Sequence, residues 1–183
     1  SARNMDSVFY IDRSTGKVLW KMGGATYSKD GATYVAIRDP FFRQHDARLQ
    51  PGWSTECGGG HGQISVFDDE SSKDQPARAA VYDVTVGESH GTACGIAGAT
   101  LAWAHAGSVS SVFMGSFRIL SDGSRTIGWG QGGAPGLVFT EVDAEGHDLL
   151  DFYFAGDGSS YRAIKVPLGA FDLDVLRSTA GAP

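Results

Sequence analysis

Short runs of alternating apolar and polar residues, separated by glycine-bearing turns, recur along the whole chain. That spacing predicts strands rather than helices. Residues 8–12 and 17–21 read as a hairpin around Arg13-Ser14-Thr15-Gly16, whose glycine can supply the positive φ of the turn. Residues 25–43 read as a long connection. A strand follows at 45–49, where alternation sends His45, Ala47 and Leu49 to one face and Gln44, Asp46 and Arg48 to the other. After a turn at Pro51-Gly52 and an insertion over 53–62 come strands at 63–67, 78–86 and 100–105. An acidic loop, 68–74, separates the first two, and the loop 87–98 precedes the third. Residues 116–120, 125–129, 137–142 and 148–154 form a second set of four, with turns at Asp122-Gly123 and Asp143-Ala144-Glu145-Gly146. One spare strand is expected at 160–166, ahead of a tail over 168–183. No helix-period segment of useful length is present. Gly115-Ser116-Phe117 and Gly130-Gln131-Gly132-Gly133 read as turns and not as phosphate cradles, because no helix follows either.

Two internal matches give these strands a larger order. Ile11-Asp12 with Gly16 corresponds to Val142-Asp143 with Gly146, and 45–52 aligns with 116–123. The chain therefore reads as a series of four-stranded antiparallel units. A β-propeller places the first strand of each unit along a central channel. The alternative is a β-sandwich, but repetition at the level of the unit favours the propeller. The count gives two full blades, half a blade at the start and a spare strand at the end. Propellers close with about four to eight blades. The expectation is thus all-β, with 1–183 in a single propeller domain that this chain cannot close alone. The missing blades would be supplied as another chain across a large apolar interface. Ser1 to Asp6 run into a strand pattern with no initiator Met, which reads as an internal start.

Composition narrows the function classes. The 26 glycines are about twice average usage and suit many short strands. A net charge of -6 with no cluster of Lys and Arg argues against a nucleic-acid partner. No apolar run is long enough to span a bilayer. Cys57 and Cys94 each lie in a Gly-rich loop. A disulfide tying two loops of a secreted protein is preferred to two free thiols. Two cysteines are too few for a zinc cage without convergent histidines.

The residues that carry chemistry resemble a known family. Residues 1–12 with Gly16, Trp20 and Gly23-Gly24 are similar to the middle of the arylsulfotransferase-like β-propellers. Gln44-His45-Asp46-Ala47-Arg48, Ile64-Ser65-Val66-Phe67-Asp68, Ile127-Gly128-Trp129-Gly130, Phe139-Thr140-Glu141-Val142-Asp143 and Tyr161-Arg162 follow in the family's order. The resemblance implies that 1–183 are the carboxy-terminal half of a six-bladed propeller from the secreted branch, with the missing amino-terminal half as the other chain. It implies transfer of a sulfo group from an aryl sulfate to a phenol, with no nucleotide donor and no cofactor. Such transfer passes through a loose transition state with charge on peripheral oxygens, as phosphoryl transfer does. An imidazole can carry the sulfo group, and guanidinium groups can stabilise its oxygens. His45 matches a channel-facing histidine of the family, and Arg78 stands where a functional arginine is common. These two are the expected catalytic residues. Arg48, Ser116, Trp129 and Arg162 are the expected substrate contacts, Trp129 through its ring.

The chain also departs from that pattern. The family uses histidines on inner strands of three blades. One would fall before Ser1, and another, the one that carries the sulfo group, would fall near Ser116. A propeller that only binds a ligand, or serves in an extracellular assembly, is therefore the second reading. His105 ends an outer strand, and His61, His90 and His147 fall in loops or turns expected to be exposed. Residues 11–20 also resemble the tryptophan-docking repeat of quinoprotein propellers, but only once, so Trp20 reads as a packing residue. Asp68-Asp69-Glu70 with Asp74 is a weak calcium candidate, and an acidic surface turn is the commoner explanation. No Gly-x-Ser-x-Gly elbow is present.

Overall fold

The computed structural model describes residues 1–27, 29–87, 94–131, 136–156 and 158–181. Their strands are β1 (Val8–Ile11), β2 (Val18–Met22), β3 (Thr33–Val35), β4 (His45–Leu49), β5 (His61–Asp68), β6 (Arg78–Thr85), β7 (Gly98–Ala106), β8 (Ser116–Ile119), β9 (Arg125–Gly128), β10 (Leu137–Val142) and β11 (Asp148–Tyr153). They form three sheets, ordered β1-β2-β3, β4-β5-β6-β7 and β11-β10-β9-β8. Pairing is antiparallel except between β2 and β3, which run parallel.

Consecutive strands pair in order, which gives the second and third sheets the same layout. The internal repeats lie at equivalent places. β4 and β8 are the first strands of their sheets. Asp12 and Asp143 both close hairpins by accepting backbone N–H groups two to four residues on, from Ser14 in one case and from Gly146 and His147 in the other.

The middle sheet explains the apolar runs. Along β5 and β6 successive side chains alternate faces. Ile64, Val66, Ala80, Tyr82 and Val84 enter one core with Trp20, Met22 and Phe41. Phe67, Ala79 and Val81 enter a second core with Phe117, Ile127 and Trp129. A strand covered on both faces reads as a nearly continuous apolar run, as Ala79-Ala80-Val81-Tyr82 does. Trp20 is 1% exposed and stacks on Tyr10 at 5.2 Å, the packing role expected of it.

Several expectations are corrected. Residues 160–166 form no strand. They lie across the start of β8 through loop contacts, Gly115 N–H donating to Tyr161 O (3.2 Å) and Ala163 N–H to Ser116 Oγ (3.0 Å). Each β8 partner is a turn residue or a side chain, so no ladder propagates. The connection 25–43 contains β3, and the tail contains a short helix, Leu173–Thr179, capped by Asp172. His61 opens β5 and is half-buried rather than exposed, while His147 is exposed. His90 and the stretch Gly132-Gly133 lie outside the described residues.

Cys57 and Cys94 form a disulfide, with Cα atoms 5.5 Å apart and a sequence separation of 37. Closing a loop of that length restricts the unfolded chain by about 4 kcal/mol. Reduction is therefore expected to lower the thermal midpoint by several degrees. Intact mass before and after alkylation, with melting curves of both forms, checks this. Two alkylatable thiols in the native protein would contradict it.

Candidate active site

The starts of β4 and β8 lie side by side, and the charged groups gather there. The segment 1–7 is stitched to the entry of β4. Gln44 Nε2 donates to Ser7 O (2.8 Å), and Arg43 N–H donates to Asp6 Oδ1 (2.7 Å). β4 does not alternate as expected. His45 faces Phe67 and Arg48 faces Ser65, so three steps on β4 span two on β5. This is a β-bulge, and the extra residue re-aims side chains. Asp46, in the left-handed region at φ 54°, is that irregular point.

The bulge turns Asp46 onto β8. Its Oδ2 accepts from Phe117 N–H (3.0 Å) and from Arg118 Nη1, and its Oδ1 accepts from Arg48 Nε (3.1 Å). Arg118 is held below the usual arginine range by burial and then by the neighbouring Arg162 cation. Two guanidinium groups thus bind one carboxylate, and a third, Arg162, adds positive charge beside Arg118. Arg118 was not apparent from the sequence, since its partner is contributed by another sheet.

His45 sits beside this cluster, with its side chain 27% exposed. Its Nε2 lies 3.2 Å from Met114 N and 3.4 Å from Asp69 Oδ2. Met114 is itself in the left-handed region at φ 73°, as is Arg43 at 59°. Strained non-glycine backbone on both sides of one histidine is a pattern that recurs at functional sites. Gly115 is required next to it. Its φ is 102°, and a Cβ there would come within 2.2 Å of the Phe67 ring.

The other expected site residues are placed differently. Arg78 is 15% exposed and mostly spent on protein partners. Its Nε donates to Asp68 Oδ2 (2.9 Å), its Nη2 to Asp39 Oδ1 (3.3 Å) and Pro40 O (3.1 Å), and Glu70 Oε1 lies 3.3 Å away. Burial pushes Asp68 up to about 7, against the pull of Phe42 N–H, and the Glu70 carboxylate adds to the rise. Glu70 is raised as well, again by burial first. The guanidinium here holds a turn together. Ser116 is buried, its hydroxyl donating to Ala163 O (3.1 Å) and accepting from Ala163 N–H. Trp129 is 1% exposed and its indole donates to Thr140 Oγ1 (2.8 Å), so its ring packs the core and offers no open face. Arg48 and Arg162 are exposed, and Arg162 borders a groove of about 370 Å³ that also touches Phe139, Phe152 and Phe154.

The acidic turn is divided. Asp68 and Glu70 face Arg78, and Asp69 faces His45. Among the described residues no three metal-ligating side chains converge. His105 lies 3.2 Å from Asp148 at the far side of its sheet. No helix among the described residues is long and apolar enough to cross a membrane.

Three sheets, with a histidine and arginine–carboxylate pairs where the first strands of the second and third meet, make this an all-β protein. Residues 1–154 match the arylsulfotransferase (ASST) family, and the chain belongs to that family. No curated protein and no solved structure matches it.

Proposed function

We propose that this chain is part of a secreted arylsulfotransferase that moves a sulfo group from an aryl sulfate to a phenol through His45. The observation that carries this reading is the β4–β8 junction. A partly exposed imidazole stands there next to Asp46, which Arg48 and Arg118 bind, with Arg162 near Arg118, so three guanidinium groups outnumber the two carboxylates, Asp46 and Asp69. Such a site favours an anionic sulfate ester and the charge that develops on its oxygens. Arg78 serves it indirectly by fixing the turn that carries Asp69. The disulfide fits an oxidising compartment.

In the same reading the three sheets are blades of a six-bladed propeller, with β4 and β8 along the channel. Leu150 and Phe152 on one face of β11 and Leu149 and Tyr153 on the other are exposed, which supports further chain packing around this edge strand. The remaining blades would come from a partner segment or chain.

The direct test incubates the full-length protein with an aryl sulfate and a phenol. Release of one phenol with stoichiometric sulfation of the other is expected. Absence of both products across varied donors would reject the reading. Ser116, closed off against Ala163 where the family resemblance places a histidine, favours a second one. In that case the junction binds aromatic sulfates without turning them over, and calorimetry would show saturable binding with no product.

A further inference from the structure

Asp69 is the least explained charged group in the molecule. Its side chain is 0% exposed, and neither carboxylate oxygen makes a hydrogen bond. Arg3 Nε, 3.5 Å from Oδ2, is equally buried and without a hydrogen-bond partner. The other Arg3 nitrogens donate elsewhere, Nη1 to Asn4 Oδ1 and Nη2 to Val112 O and Ser71 Oγ, so Arg3 offers Asp69 a charge at ion-pair distance and no hydrogen bond. A buried carboxylate in this condition is costly and calls for a proton donor.

The nearest candidate donor is His45 Nε2, at 3.4 Å. The same nitrogen lies 3.2 Å from Met114 N–H. The two contacts exclude one another. Met114 needs a lone pair on Nε2, whereas Asp69 needs a proton there. If Nε2 carries the proton, a neutral amide loses its acceptor and a buried carboxylate gains a donor. Hydrogen bonds to charged groups contribute about twice as much as neutral ones, so the second exchange wins. Nδ1 makes no hydrogen bond to the described residues, and with the proton on Nε2 it holds the free lone pair.

We propose that Asp69 is the positioning residue for His45, fixing the ring with its proton on Nε2 and its lone pair on Nδ1. This rests on the transferase reading above. In the first half-reaction Nδ1 attacks sulfur and the bond from sulfur to the aryl oxygen breaks. The phenolate leaves with that electron pair and takes a proton from water, and the acceptor phenol returns one to water when it ionises before the second step. The ring is then an N-sulfo imidazolium, still protonated on Nε2, and its positive charge faces Asp69. In the second half-reaction the acceptor phenolate attacks sulfur, and the S–N pair returns to Nδ1. The carboxylate thus stabilises the charge that forms on the ring and keeps the correct nitrogen free.

Nitrogen NMR of the full-length protein labelled in histidine tests this without reference to activity. The expected neutral His45 is the Nε2–H tautomer in the native protein, and Asp69→Asn shifts it toward Nδ1–H, with Met114 N–H donating to Nε2. A native ring already in the Nδ1–H form would overturn the proposal, with no variant needed. So would an Asp69→Asn protein of unchanged melting temperature whose tautomer does not move. Kinetically, Asp69→Asn is expected to lower kcat about 10²–10⁴-fold with KM little changed. A tautomer that depends on Asp69 in a protein with no sulfo transfer would support the positioning and remove the transferase reading instead.

Discussion

Replacing His45 by alanine is expected to abolish sulfo transfer while leaving the fold in place. The ring is the one group in the junction able to accept a sulfo group and release it, since guanidinium groups have no lone pair to offer. Loss of about 10³-fold or more in kcat/KM is expected, with the remainder supplied by binding alone. Stability should fall by about 1–3 kcal/mol, the cost of leaving the buried Asp69 carboxylate without its ring partner. His45 is partly exposed and lies outside both apolar cores, so the cores stay packed. Added imidazole should restore part of the turnover, because a free ring fits the space that the side chain leaves. The control is His105→Ala, which removes a histidine paired with Asp148 and should keep full activity. Turnover in the His45 variant at the native rate would move the chemistry to another residue.

Replacing Arg78 by methionine is expected to cause the largest loss of stability. Asp68 is 0% exposed and Glu70 nearly so, and both lean on this one cation. Removing one partner of a buried pair costs about 3–5 kcal/mol, because the other charge is left uncompensated. The sign of the pH dependence follows from the raised carboxylates. Asp68 sits at about 7 in the folded protein against 3.8 for an ordinary aspartate. The folded state therefore holds more protons than the unfolded one between these values. The stability contributed by this proton is complete below about 4 and is lost as pH rises through about 7. Without Arg78 the carboxylates depend still more on protonation. The gap in melting temperature between native and Arg78→Met should accordingly be wider at pH 8 than at pH 5. A gap that is constant or reversed would show that the cluster is not held in this way. Because this turn carries Asp69, sulfo transfer should fall together with stability.

The strands were legible because their signals are local. Alternation and glycine turns located ten of the eleven strands among the described residues to within a few positions. β3 escaped because a three-residue strand carries too little pattern to separate from a connection. The spare strand at 160–166 was misjudged because its apolar residues sit in a segment bonded to a turn and a hydroxyl instead of a strand edge. The disulfide was legible in part, from two cysteines in glycine-rich loops.

The site was only half legible. His45 stands in a recognisable run and could be singled out from its neighbours. What the sequence could not show is direction. A bulge at Asp46 re-aims one carboxylate toward Arg118, seventy-two residues away, and the Asp68-Asp69-Glu70 turn splits its charges between Arg78 and His45. Trp129, expected to offer its ring to a substrate, is enclosed because the middle and third sheets meet over it. Arg78, expected at the chemistry, is held by carboxylates that approach from two separate loops. The sequence determined which residues form strands, because period and turn chemistry act over a few residues. Only the tertiary structure decided which charges meet, because burial and pairing depend on which sheet faces which.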